Sequence, residues 1–330
     1  MTDPTPAQGP RACDSQFVLP GSNESLSAWA AERKAHLAGR PVVVSVSGGK
    51  DSTAVCLLLL EAGIDFRCVH MDTGWEHEAT ERYVRETLPG IVGPIQILQG
   101  THGGMEGLVK HKGMFPSRVR RFCTQELKVR PFQRFLASLD DEPVNPIGIR
   151  AAESAARSKM EEWDFNAGFD CEVWRPIIRW SFDDVIAIHQ RHGIAPNPLY
   201  LKGATRVGCW PCIFSRKSEI RQVADLDPGQ IDRLERLEAE VGVKATERRV
   251  AKGLPLADYS PPTFFQDPIR RTNPTTGEVA RGCVPIREVV EWSRTAHGGK
   301  QAELFAPPYD DGCMRWGMCE TQPPESEPQT

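Results

Sequence analysis

Apolar and polar positions along the chain follow two alternating rhythms. PVVVSV, Pro41 to Val46, is an unbroken β-branched run of the kind buried on both faces of a parallel sheet, and STAVCLLLLEAG after it predicts a helix closed by Gly63. FRCVHM predicts a second strand, HEATERYVRETLPG a helix, GPIQIL a third strand, TQELKVRPFQRFLASL a helix and NPIGI a fourth strand. Strands alternating with helices imply an α/β fold: an open parallel sheet with right-handed crossovers and helices on both faces.

Two later helices carry their own boundary signals. SFDDVIAIHQRHG opens on a capping Ser181, has Asp184 three residues on, and exits at Gly193. DPGQIDRLERLEAEVG has Asp227 as its cap, Pro228 at the first helical position, and one apolar face of Ile231, Leu234, Leu237 and Val241. From Gly253 onward the proline- and glycine-rich chain loses its period, which predicts a C-terminal extension that is helical at first and irregular after. The first 22 residues and the final ETQPPESEPQT have the composition of disordered ends.

Composition sets limits on function without naming one. The chain of 330 residues has 40 basic against 44 acidic side chains and a net charge of -4, so no global basic field draws it to nucleic acid or membrane. The opening MTDPTPAQGPRACDSQ lacks the basic and apolar regions of a secretory signal, and no apolar run nears the ~20 residues that span a bilayer. A cytoplasmic protein with no membrane partner is expected. In that reducing setting its ten cysteines point to metal ligands, reactive thiols or small buried apolar groups rather than a disulfide framework. Cys56 and Cys68, inside apolar runs, are expected in the core.

Candidate chemistry concentrates after the first strand, in VVVSVSGGKDSTAV. Ser45, Ser47, Gly48, Gly49, Lys50, Asp51 and Ser52 lie where a strand's carboxyl end meets a helix N-terminus. Amides and hydroxyls there form an anion site, Lys50 adds charge, and the paired glycines let backbone approach a phosphate closely. A Walker loop would need a glycine at Val44 and a hydroxyl at Asp51, so this is a phosphate loop of another kind. Asp72, ending the second strand, is placed to bind an adenosine hydroxyl or amino group, or Mg²⁺, with Glu78 as its candidate partner. In GIRAAESAAR, Arg150 and Arg157 bracket Glu153 and Ser154 and suit a phosphate, a sulfate or a transition-state oxyanion. GCWPC sets Cys209 and Cys212 on a tight turn from which two thiolates converge on one metal centre.

SGGKDS resembles the PP-loop of the ATP pyrophosphatases. Together with CVHMDTGWEHEAT, RFCTQELKVRP, GIRAAESAAR, WRPIIRWSFDDV and LYLKGATRVGCWPC, it resembles the PAPS reductase-like branch of that superfamily across roughly residues 40–220. The resemblance implies an adenine nucleotide alpha hydrolase-like domain over residues 23–225. A leader of residues 1–22 would precede it, with an extension at 226–318 and a tail at 319–330 after it. It also implies an enzyme that cleaves ATP between the α- and β-phosphates with Mg²⁺ and adenylylates an acceptor for sulfur transfer, with Lys50, Asp51, Arg150 and Arg157 as catalytic residues. Sulfonucleotide reductases of the same branch lack the lysine-aspartate form of the loop, so its presence here favours ATP as substrate.

The nearest resemblance is to the ATP pyrophosphatase component of DNA phosphorothioation systems, which carries a Gly-Cys-Trp-x-Cys motif. That implies a [4Fe-4S] cluster on Cys123, Cys209 and Cys212, with Cys283, or one of Cys313 and Cys319, as the candidate fourth ligand. A three-cysteine cluster with an open iron is an equal alternative. A cysteine desulfurase and other modification-complex subunits are the expected partners. The competing reading is a PAPS or adenylyl sulfate reductase that releases sulfite through a C-terminal cysteine, Cys319. Support for nucleic acid is local, in SRVRRF around Arg118 to Arg121 and ERRVAK around Arg248. Each reads first as a solvated face, so contact with nucleic acid is expected through partners.

Overall fold

The computed structural model describes residues 25–257, 259–265, 269–272 and 279–295. Helix α1 (Leu26–Leu37) leads into β1 (Val43–Ser45), and α2 (Lys50–Glu61) carries the chain to β2 (Arg67–Asp72). Helix α3 (Glu78–Arg82) then leads to β3 (Ile95–Gln99), and β1, β2 and β3 pair in parallel in that order. After α4 (Met105–Lys112) and α5 (Arg130–Leu136) the chain returns to the other side of β1 as β4 (Val144–Pro146). Val42 pairs in parallel with Val144, and Asn145 Nδ2 donates to the Val43 carbonyl at 2.7 Å. Strand β5 (Trp163–Asn166) runs antiparallel to β6 (Cys171–Trp174), which pairs in parallel with β4.

The sheet therefore reads β3-β2-β1-β4-β6-β5, with a change of direction between β1 and β4. Ligands of open α/β sheets bind at the carboxyl ends of strands at such a switch point. The parallel α/β fold is as expected, with one antiparallel strand added at the edge. That strand belongs to a short hairpin, and a short connection can join only antiparallel neighbours.

Side chains of β1 alternate between two cores. Val42, Val44 and Val46 pack with α2, α1 and Val84, while Val43 and Val69 pack with Phe132, Phe135 and Leu136 of α5. Both faces are covered, which is why the strand is apolar without a break. Cys56 and Cys68 lie in the first core with their sulfurs 3.8 Å apart.

Several helices depart from their expected form. The predicted helices HEATERYVRETLPG and TQELKVRPFQRFLASL each contain a π turn, at Tyr83–Thr87 and Gln125–Val129. Helix α6 (Phe182–Arg191) has the reciprocal Ser181–Asp184 cap, and α7 (Lys217–Leu226) follows it. Helix α8 (Pro228–Ala251) starts at its Asp227 cap but passes through Gly242, the expected stop. A Cβ at Gly242 would lie 3.2 Å from Pro261 Cβ, so the glycine admits a close neighbour and does not end the helix. The region beyond Gly253 is also more regular than its composition suggests, containing the hairpin β7 (Ile269–Thr272) and β8 (Val279–Gly282) and helix α9 (Ile286–Ser293). Each element is too short to display a period in sequence.

A second core joins residues from both halves of the chain: Trp75, Leu108 of α4, Phe115, Leu127, Leu199, and the apolar faces of α7, α8 and α9. Ile231, Leu234, Leu237 and Val241 are all buried there. Phe264 stacks on Trp75 with centroids 6.1 Å apart. Glu238 of α8 ties this layer together by accepting the amides of Phe264 and Ile286, both at 2.9 Å. Among the described residues no helix is long and apolar enough to cross a membrane.

Replacing Glu238 with alanine strands two buried N–H donors, each worth about 1–3 kcal/mol. Glu238→Ala should lower the unfolding free energy by about 2–4 kcal/mol in a urea titration. A loss under about 0.5 kcal/mol would show that these hydrogen bonds do not hold the C-terminal layer.

Candidate active site

Between β1 and α2 the backbone turns at Gly48 with φ +71°, and a Cβ there would come within 2.8 Å of Val84 Cγ2. Gly49 caps α2. The loop is fastened from within: the Ser47 amide donates to Ser52 Oγ at 3.3 Å, and the Ser52 and Thr53 hydroxyls donate to the Gly49 carbonyl at 3.0 and 3.1 Å. Ser45 ends β1 opposite Val69. The Lys50 amide donates to the Tyr200 hydroxyl at 3.2 Å. Burial pushes the pKa of that hydroxyl far up, so Tyr200 stays neutral.

A row of alternating charges crosses the switch point. Lys50 Nζ lies 3.2 Å from Asp51 Oδ2, and Arg150 Nε donates to Asp51 Oδ1 at 2.7 Å. Arg150 also reaches Glu153 at 3.8 Å, and Glu153 pairs in turn with Arg157. Lys50 and Arg150 are buried, whereas Arg157 is the exposed outer end of the row. Both buried cations lie over the Phe182 ring, at 5.6 and 5.9 Å. Gly148 sets how closely the two loops approach, since a Cβ there would lie 2.6 Å from the Asp51 carbonyl carbon and oxygen. Tyr200, Phe182 and Gly148 fall within LYLKGATRVGCWPC, WRPIIRWSFDDV and GIRAAESAAR, but nothing there singles out these three residues; only the fold brings them to the loop.

Asp72 stands at the next strand end. It accepts from Arg85 at 2.6 Å and from the Gly74 amide at 2.9 Å. Its expected partner Glu78 is exposed and pairs instead with Arg82 one turn along α3. The acids that fold back to Asp72 are Glu76 and Glu81, with oxygen atoms of all three within 4.8 Å of one another. Burial, with the charges of Asp72 and Glu76, raises the Glu81 pKa. Three carboxylates in this arrangement are hard oxygen donors of the kind Mg²⁺ takes.

The turn after β2 also reaches the cysteines. Glu76 forms a bridge with Cys209, the Trp210 amide donates to the Trp75 carbonyl at 2.8 Å, and Trp75 Nε1 donates to the Pro211 carbonyl at 3.1 Å. Cys123, from the Phe122–Thr124 turn, acts electrostatically on Lys128 together with Cys209 and Cys212. The charge of Cys209 raises the Lys128 pKa against the opposing effect of burial, with Glu76, Cys212 and Cys123 adding to it. Burial pushes the Cys209 thiol up while Lys128 pulls it down. A cavity of about 170 Å³ opens beside them, lined by Lys128, Arg206, Cys209, Cys212 and Gln222 among others.

Three cysteine sulfurs that act on one buried lysine are soft donors of the type that hold an iron-sulfur cluster, whose own net charge is negative. The Cys283 amide donates to Ser260 Oγ at 3.0 Å. Cys313 and Cys319 fall outside the described residues. Trp210 is buried and meets His77 edge-on at 5.2 Å, so it packs within the protein.

A doubly wound sheet with this loop at its switch point is the arrangement of the PP-loop superfamily, in its PAPS reductase-like branch. The family profile described as phosphoadenosine phosphosulfate reductase domain matches residues 41–215, and the chain belongs to that family. A relative described as an uncharacterized 37.8 kDa protein in the gpa 5' region of Escherichia phage 186 is 33% identical, over 84% of this chain and 96% of that protein. Uncharacterized protein MJ0066 of Methanocaldococcus jannaschii is 32% identical over 56% of this chain, a match that spans only 38% of its own length. Adenosine 5'-phosphosulfate reductase of Allochromatium vinosum is 30% identical over 28% of this chain and 36% of its own. Among solved structures, phosphoadenylyl-sulfate (PAPS) reductase from Candida auris, in a phosphate complex, covers 59% of this chain and 97% of its own. Its TM-score is 0.45 and its identity 17%. Members of the family are enzymes.

Gly148→Ala should force the β4 exit loop away from Asp51 and pull Arg150 out of register. The cost expected is about 1–3 kcal/mol of unfolding free energy in a urea titration. A loss under about 0.5 kcal/mol would show that the close approach of the two loops is not tightly packed.

Proposed function

We propose that the protein is an ATP pyrophosphatase that adenylylates an acceptor for sulfur transfer, in the manner of nucleic-acid sulfur modification such as DNA phosphorothioation. The observation that carries this reading is the complete SGGKDS loop with Lys50 buried beside Asp51 and Arg150. A lysine and fixed helix amides suit a departing pyrophosphate, for which a reductase working on a finished sulfonucleotide has no use.

In this scheme an acceptor oxygen attacks the α-phosphorus of ATP, the bond to the β-phosphate oxygen breaks, and pyrophosphate leaves. Lys50, Arg150 and the first amides of α2 stabilise the charge that develops there, while Arg157 stands at the solvent edge. Asp72, Glu76 and Glu81 supply oxygen donors for Mg²⁺. Hydrosulfide, released from the persulfide of a cysteine desulfurase partner by a dithiol reductant that is oxidised to its disulfide, then attacks the activated centre and AMP departs with the acceptor oxygen. Cys123, Cys209 and Cys212 would hold a [4Fe-4S] cluster by three corners, and such a cluster with an open iron offers a binding position for soft sulfur.

The reductase reading rests on the relatives named adenosine 5'-phosphosulfate reductase, and it assigns sulfite release to Cys319. Anaerobically purified protein incubated with ATP labelled at the α-phosphate separates the two. The expected products are pyrophosphate and either AMP or an adenylylated acceptor, falling about 10²–10³-fold in Lys50→Ala. The same preparation should contain iron that Cys209→Ala loses. Release of ADP and phosphate, or thiol-dependent sulfite from adenylyl sulfate without any turnover of ATP, would overturn the proposal.

A further inference from the structure

The loop Ser117–Arg121, SRVRR, is absorbed by neither site described above. The Ser117 amide donates to the Arg120 carbonyl at 3.1 Å and the Arg120 amide to Ser117 Oγ at 3.1 Å, closing a tight turn. The turn leaves Arg118, Val119 and Arg120 exposed, Val119 by 93%. Arg121 is exposed as well and lies over the Phe214 ring at 5.1 Å. Among the described residues none of these three arginines has a carboxylate partner, whereas Arg82, Arg191, Arg287 and Arg294 are held by Glu78, Glu61, Glu235 and Asp225.

Neighbouring guanidiniums without counter-charge repel one another, and an incoming polyanion relieves that repulsion. Their planar forks match phosphate oxygens, and an apolar tip between them suits the face of a sugar or base. A single turn is too small to anchor a folded protein, which needs roughly 1,000 Å² of buried surface. Phosphate contacts, by contrast, add one at a time. The position of the loop matters as much as its charge. Cys123 follows Arg121 by two residues, and Phe214, on which Arg121 rests, follows Cys212 by two. An anion held at the tip would lie beside the thiols.

We propose that the Ser117–Arg121 loop grips the sugar-phosphate backbone of a nucleic acid directly and presents it to the thiol centre. Naming that nucleic acid as the acceptor rests on the sulfur-transfer reading; the binding itself does not. The net charge of -4 then keeps the rest of the surface from competing for the strand.

Fluorescence anisotropy with labelled duplex DNA, single-stranded DNA and RNA, titrated over a range of KCl without ATP, tests the loop apart from any turnover. Wild-type protein should bind at least one of the three. The variant Arg118→Ala/Arg120→Ala/Arg121→Ala should bind at least about tenfold more weakly, with a salt slope shallower by about 3 on duplex or about 2 on single strands. Replacing the same three arginines by lysine should keep most of the slope, and ATP affinity should be equal in all forms, which certifies the fold. Which polymer binds identifies the acceptor class. Absence of binding to all three, a slope that the alanine variant leaves intact, or displacement of DNA by a poly-glutamate peptide at equal charge concentration would each overturn the proposal. Nucleic-acid binding without pyrophosphate release would leave the loop assigned and the ATP reading refuted.

Discussion

Asp51 lies between two buried cations, and the arrangement of the nucleotide site depends on that one carboxylate. Lys50 and Arg150 would be costly to bury alone, because charged groups removed from water need a partner. Asp51 serves both, at 3.2 and 2.7 Å. Glu153 continues the row outward to Arg157, so three cations face two carboxylates and one positive charge remains in excess at the carboxyl edge of the sheet. The reversal of strand order between β1 and β4 is what makes this possible, because it brings two loops from distant parts of the chain edge to edge. Gly148 lets them touch, since any larger residue would collide with the Asp51 backbone.

The nucleotide loop and the cysteines are not separate modules. The short turn after β2 carries Trp75 and Glu76, and both face two ways. The Glu76 carboxylate lies with those of Asp72 and Glu81, while its backbone pairs antiparallel with that of Cys209. Trp75 is fully buried, bonded to Pro211, and stacked on Phe264. The C-terminal layer of α7, α8 and α9 therefore braces the cysteine loop through the same core that fixes the acidic turn. Chemistry begun at phosphate and completed at sulfur would need such a fixed separation between two centres.

Much of this was legible in sequence, for a physical reason. Elements buried on both faces, or long enough to show a period, announce themselves, as did β1, α2, α6 and α8. The phosphate loop was equally legible because its glycines and its lysine are local requirements. Contacts made across the fold were not: Tyr200, Phe182 and Gly148 lie in segments that carry the family resemblance, yet they reach the loop only through topology and nothing there marks these three residues. Glu78 illustrates the limit. Sequence offers three acids within a short span after Asp72, and only the folded turn and helix α3 decide that Glu76 and Glu81 come to Asp72 while Glu78 turns to Arg82. The short hairpins β5-β6 and β7-β8 and helix α9 have too few residues to establish a rhythm.

The central claim, that this site breaks ATP between its α- and β-phosphates, is tested most directly by positional isotope exchange. ATP carrying ¹⁸O in the bridge between the α- and β-phosphates would be incubated with the protein, Mg²⁺ and acceptor, and recovered for ³¹P spectroscopy. Reversible cleavage at that bond lets the bound pyrophosphate rotate before it recombines, so the label should move from the bridge to a non-bridging β oxygen. Label that stays in that bridge while label placed between the β- and γ-phosphates scrambles would contradict the account.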